Sequence, residues 1–99
     1  MLNINKTIGN GKAVFALEGR LDADTSPSLE AELKDVLDEV NELILDFGKL
    51  EYISSAGLRV LLDAHIEMSK HGGMTLTHVN ETVMEIFDIM RFSDILNIE

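Results

Sequence analysis

Leu2, Ile4 and Ile8 alternate with Asn3, Asn5 and Thr7, the two-residue period of a half-buried strand. Gly9-Asn10-Gly11 follows, and residues that tolerate positive φ in this position predict a tight hairpin turn. Ala13 to Leu17 is apolar at every position, so the second strand is expected further inside the sheet. A polar loop, Gly19 to Ser26, leaves it. Pro27 fits the first position of a helix with Ser26 as its cap. Within that helix Leu29, Leu33, Val36, Leu37 and Val40 recur at helical spacing, while Glu30, Glu32, Asp35, Asp38 and Glu39 point away.

Leu43 to Phe47 reads as a buried strand whose one exception is Asp46. Tyr52-Ile53-Ser54-Ser55-Ala56-Gly57 then leads into a second helix, from about Ala56 to His71. Only Arg59, Asp63, Glu67 and Lys70 form a polar stripe on it, with Arg59 and Asp63 spaced to pair. Val60, Ala64 and Met68 flank the stripe, so they serve either as core or as an exposed edge that docks a partner. His71-Gly72-Gly73 ends the helix, Met74 to Val79 alternates as a fourth strand, and Asn80 caps a last helix. Val83, Ile86, Phe87 and Met90 form the apolar stripe of that helix, and Ile95, Leu96 and Ile98 are expected to fold back as a cover.

The order β-β-α-β-α-β-α predicts a single α/β domain over residues 1–99: a mixed β-sheet with helices packed over it. Sheets of this kind place functional loops at the carboxyl ends of strands. Asp22–Ser26 and Ser54–Ser55 both follow strands, so the two loops are expected side by side. The serines also meet a helix start, where unpaired N–H groups suit a hydroxyl cap and equally suit a phosphate. Both readings stand on these residues.

Composition narrows the classes. Apolar residues are 45% and charged residues 26% of the 99, an ordinary globular balance. Eighteen acids against eight bases leave a net charge of −10, which argues against nucleic acid or an anionic membrane and favours a basic partner. There are no cysteines, so disulfides and thiolate chemistry are excluded. No signal-peptide pattern or membrane-length apolar run occurs, and a cytoplasmic location is expected.

Catalysis finds little to work with. His65 falls in an apolar arc, His71 at a helix end and His78 near a strand end, so no histidine is placed as a base for either serine. Asp22, Asp24 and Asp46 could gather as oxygen ligands for magnesium, or Asp46 could serve as the acceptor of an aspartate-phosphorylated receiver. The opening hairpin differs from a receiver's regular alternation, and Asp22 and Asp24 are as easily loop residues bonded to their own backbone. The glycine pairs lack the strand-to-helix context and lysine of a phosphate loop. No enzyme activity, metal site or cofactor is expected.

LILDFGKLEYISSAGLRVLL resembles the signature of STAS domains, in particular the stand-alone bacterial anti-sigma-factor antagonists. GRLDADTSPSLEAEL is similar to the family's second block. The resemblance implies a non-enzymatic regulator that acts by partner exchange. Its unmodified form binds an anti-sigma factor with histidine-kinase-like serine kinase activity, releasing the sigma factor. Phosphorylation switches that binding off, and a metal-dependent serine phosphatase reverses it. The implied acceptor is Ser55, two residues before Gly57, and Ser54 offers a second hydroxyl. Asp22, Thr25, Ser54 and Gly57 would shape the docking surface with Ser55, joined by Val60 and Ala64 if the helix edge is exposed. Two departures stand out: Ser54 occupies a position where the best-known antagonists carry aspartate, and Met90-Arg91-Phe92 lacks a glycine common before the last segment. A STAS fold is also compatible with a constitutive scaffold subunit of a lipid-transport ATPase or stress-sensing complex.

Overall fold

The computed structural model describes the whole chain, Met1–Glu99. Its elements are β1 (Leu2–Gly9), β2 (Lys12–Leu21), α1 (Ser26–Lys34), β3 (Glu42–Ile53), α2 (Ser55–Met68), β4 (Met74–Thr77) and α3 (Glu81–Ile89), then a short 3-10 turn at Phe92–Asp94. The hairpin forms as expected. Asn10 and Gly11 both take positive φ, 55° and 76°, the backbone that a two-residue turn needs to match strand twist.

The sheet has the order β1-β2-β3-β4. β1 runs antiparallel to β2, whereas β2–β3 and β3–β4 are parallel. Both parallel crossovers step the same way across the sheet. Right-handed connections then put α1 and α2 on one face, side by side. Burial follows that layering: Phe15, Leu17, Leu43, Leu45, Phe47 and Leu76 are almost wholly buried, while Val14, Ala16, Ile44 and Thr75 on the other face stay half-buried. One cluster of 24 residues forms the core, with the Phe47 and Phe87 rings 6.2 Å apart between centroids.

Several boundaries differ from expectation, each for a physical reason. β2 and β3 run on to Leu21 and Ile53, because bulges between Ala16 and Glu18 and between Gly19 and Arg20 absorb extra β3 residues. Ser26 lies inside α1 rather than capping it. Its hydroxyl turns inward and donates to Asp22 O at 2.5 Å, leaving Thr25 at the N-cap position. α1 stops at Lys34, yet Val36, Leu37 and Val40 in the turns beyond it are still buried. β4 ends at Thr77 because His78 adopts a left-handed φ of 57°. Met90 caps α3 at 48% exposure instead of joining its apolar stripe. At the C-terminus Leu96 is buried and Glu99 N–H donates to Leu76 O at 2.9 Å, covering the β4 edge, while Ile95 is left outward.

Val60, Ala64 and Met68 are 7%, 2% and 0% exposed. The core alternative is therefore the observed one, and the exposed docking edge expected for Val60 and Ala64 is corrected. Both are enclosed because α1 lies against α2 rather than leaving that edge to solvent.

Candidate functional site

Leu21 and Ile53 pair in register at the carboxyl ends of β2 and β3. One residue further, Ser54 N–H donates to Leu21 O at 2.9 Å. That rung fixes the Asp22–Ser26 loop and the Ser54–Ser55 segment side by side, as their places in the chain order predict. Gly57 brings α2 down onto the same spot. A Cβ on Gly57 would lie 2.8 Å from Leu21 Cγ and 2.9 Å from Ile53 Cγ1. Gly57 is buried, so it shapes the surface from beneath and does not present itself to a partner.

The two serines divide the work of the helix start. Ser54 is the N-cap, with extended backbone and a side-chain oxygen that accepts from Gly57 N–H at a long 3.5 Å. Ser55 is the first residue of α2. It is exposed, and its hydroxyl takes part in none of the hydrogen bonds within the chain. Arg59, one turn below on the same helix face, is exposed and forms no ion pair, including the one its spacing to Asp63 suggests.

The neighbouring loop is held by reciprocal bonds. Asp22 Oδ1 accepts from Asp24 N–H at 3.0 Å and Thr25 N–H at 3.1 Å, while Asp22 N–H donates to Thr25 Oγ1 at 2.9 Å. The Thr25 hydroxyl donates to Arg20 O at 2.8 Å. Partial desolvation pushes the Asp22 carboxyl up, but the Thr25 and Asp24 donors outweigh it and hold the pKa below its ordinary value. Arg20 lies 4.4 Å above the Tyr52 ring centroid, with its Nε 4.0 Å from Asp22 Oδ2. Neither Arg20 nor Tyr52 stands out in the sequence. Their contact depends on a cross-strand register that includes two bulges.

Other candidates fall elsewhere. Asp46 lies seven residues before Ile53 on β3, roughly 20 Å down the strand from the Asp22 loop. It accepts from Gly48 N–H at 2.9 Å and faces His78 Nδ1 at 3.1 Å. Asp22, Asp24 and Asp46 are thus not gathered into a set of oxygen ligands, and the receiver arrangement is absent. His71 faces Glu67 at 3.7 Å, and the Nδ1 atom of His65 is buried without a partner. No imidazole is hydrogen-bonded to Ser54 or Ser55. No helix is long and apolar enough to cross a membrane.

Residues 3–99 match the STAS domain family. BtrV of Bordetella bronchiseptica, provisionally named an anti-sigma factor antagonist, is 35% identical over 88 residues, covering 87% of this chain and 76% of its own. An anti-sigma factor antagonist from Mycobacterium paratuberculosis superposes with a TM-score of 0.89 at 19% identity, over 99% of this chain and 85% of that one. The phosphorylated form of the Bacillus cell fate determinant SpoIIAA gives 0.75 at 18% identity, over 100% and 91%. Relatives of this kind are regulatory binding proteins, not enzymes. The chain belongs to the STAS domain family and, within it, to the anti-sigma factor antagonists.

Proposed function

We propose that this protein binds an anti-sigma factor with serine kinase activity, and that phosphorylation of Ser55 ends the binding. The observation that carries the reading is the division between the two serines: Ser54 occupies the cap, and Ser55 presents an unengaged hydroxyl beside the Asp22 loop. A phosphorylated form is known for SpoIIAA, which shares this fold. In the transfer, Ser55 Oγ attacks the γ-phosphorus of ATP on the partner, the bond to the β-phosphate oxygen breaks, and the hydroxyl proton passes to a base on the partner.

The same geometry explains release. A hydroxyl placed to receive the phosphoryl group faces the nucleotide, so phosphorylated Ser55 sets about −1.5 to −2 charges against the nucleotide's own phosphates. At the start of α2 the product is tolerated by the helix dipole, and Arg59 lies one turn away. Binding is lost while the fold persists. A serine phosphatase would then restore the unmodified surface.

The test is to capture the partner kinase from cells that make this protein, incubate the two with Mg-ATP, then map phosphate by mass spectrometry. Label at Ser55, absent from Ser55→Ala, is expected. Label confined to Ser54, or none at all, contradicts the reading. Equal partner binding by Ser55→Ala and Ser55→Asp would favour a constitutive scaffold instead.

A further inference from the structure

The two edges of the sheet are treated differently. At the β4 edge Leu76 N–H donates to Asn97 O and Glu99 N–H donates to Leu76 O, both at 2.9 Å, so the C-terminal segment covers it. At the other edge lies β1. Arg20 N–H donates to Met1 O at 3.2 Å, one step past the Leu2–Gly19 pair. Bonded and non-bonded pairs alternate along an antiparallel ladder. Asn3, Asn5, Thr7 and Gly9 therefore aim their backbone groups at β2, whereas Leu2, Ile4, Lys6 and Ile8 aim theirs outward. None of the turn, loop or cap bonds reaches those outward groups. Edge strands are ordinarily guarded by proline, a bulge or a free charge. β1 has no proline, its register with β2 is unbroken, and its one charge, Lys6, is tied to Glu32 on α1.

We propose that β1 pairs antiparallel with β1 of a second copy, so that two four-stranded sheets become one across a twofold axis. The strand is self-complementary in one register. With the axis at Asn5, Leu2 faces Ile8 of the second copy and Ile4 faces Lys6, and every outward group is satisfied. Moving the axis to Lys6 sets two like charges opposite each other, and moving it to Ile4 leaves Ile8 unpaired. In the favoured register Leu2 covers Ile8, which is 49% exposed in the single chain. On the opposite face Asn3 meets Thr7, and Asn5 meets its own counterpart.

Charge distribution selects the same edge. Two chains of net charge −10 repel at long range. No acid precedes Glu18, and Lys6 and Lys12 are the only charged side chains before it. The edge that offers free backbone groups is thus the part of the chain where two copies approach at least electrostatic cost. β2 lies between this seam and β3, so the inference stands apart from the Ser55 reading.

Sedimentation equilibrium of the full chain in about 0.3 M salt, which screens that repulsion, should show a mass rising toward twice the monomer's between about 10 μM and 1 mM. A monomer throughout overturns the proposal, including one whose β1 amides shift only when the partner kinase is added, which assigns the edge to that protein. Lys6→Pro removes an N–H that faces outward and so no bond to β2. It should weaken association at least about tenfold, whereas Lys6→Ala, which keeps the N–H, should not. Equal association of the two variants overturns the proposal. Cysteine variants test the register whether or not Lys6→Pro folds, because the chain has no cysteine of its own. At the axis the two Asn5 Cα atoms would be about 4.5 Å apart, within the range of about 4.4–6.8 Å that a disulfide spans. Asn5→Cys should oxidise to a disulfide dimer. Asn3→Cys should do so only when mixed with Thr7→Cys. No cross-link at Asn5→Cys, or equal cross-linking of Asn3→Cys alone, contradicts the pairing.

Discussion

Ser54 N–H donates to Leu21 O at 2.9 Å, which joins the end of β3 to the end of β2 immediately before α2 begins. Everything proposed for Ser55 depends on that rung. It sets the acceptor beside the Asp22 loop and lets the cap residue, not the acceptor, carry the structural task.

Gly57→Ala should therefore disturb the site from below. Its Cβ would overlap Leu21 Cγ and Ile53 Cγ1, side chains that are themselves fixed in the core. Overpacking of this kind costs about 1–3 kcal/mol, and the better helix propensity of alanine returns up to about 1 kcal/mol. Urea denaturation should show a net loss of about 1–2 kcal/mol. An unchanged midpoint would mean that α2 is not seated as described.

The two serines should separate cleanly in stability. Ser54→Ala removes a cap, and with a bond as long as 3.5 Å the loss should lie near the lower end of the usual range, about 0.5–1 kcal/mol. Ser55→Ala removes a hydroxyl without an intrachain partner and should change stability by less than about 0.5 kcal/mol. Thermal melts of the pair decide it. The reverse order would move the cap to Ser55.

Much of this layout is legible along the chain, and the failures share a cause. The hairpin, the three helices and the adjacency of the two loops follow from turn residues, helical stripes and strand order. β3 is underestimated because its alternation of buried positions, Leu43, Leu45 and Phe47, resumes only at Leu50 and then Ile53. Bulges insert residues there, and a two-residue period cannot reveal an irregularity that its partner strand creates. The same bulged register hides the Arg20–Tyr52 contact. Val60 and Ala64 illustrate a different limit. An apolar residue beside a polar stripe looks the same whether solvent or α1 lies over it, and only the direction of two successive crossovers decides.

Asp22 should confer acid sensitivity. Its folded pKa lies below the ordinary carboxylate value because Thr25 and Asp24 donors favour the charged form. A depressed carboxyl stabilises the fold above its unfolded pKa, and that stabilisation is lost as pH falls through the folded one. The difference in Tm between the wild-type protein and Asp22→Asn should thus be largest near neutrality and shrink between about pH 5 and pH 2. A constant difference across that range contradicts the bonding described for the loop.

Arg91 predicts a gain. It holds a left-handed backbone, φ 65° and ψ 19°, immediately after α3. Glycine takes this conformation without the penalty of a Cβ. Arg91→Gly should raise stability by about 0.5–1 kcal/mol in chemical denaturation. A loss would mean that the Arg91 side chain makes a contact worth more than the strain.

The central claim is that one phosphate on Ser55 removes binding while the fold remains. The most direct measurement is the affinity of the kinase-like partner, with nucleotide bound, for the unmodified protein and for the protein carrying phosphoserine at position 55, alongside the Tm of each. The account predicts binding weakened at least about 100-fold with a Tm that stays within a few degrees. Equal affinities for the two forms, or a loss of binding that tracks unfolding, would contradict it.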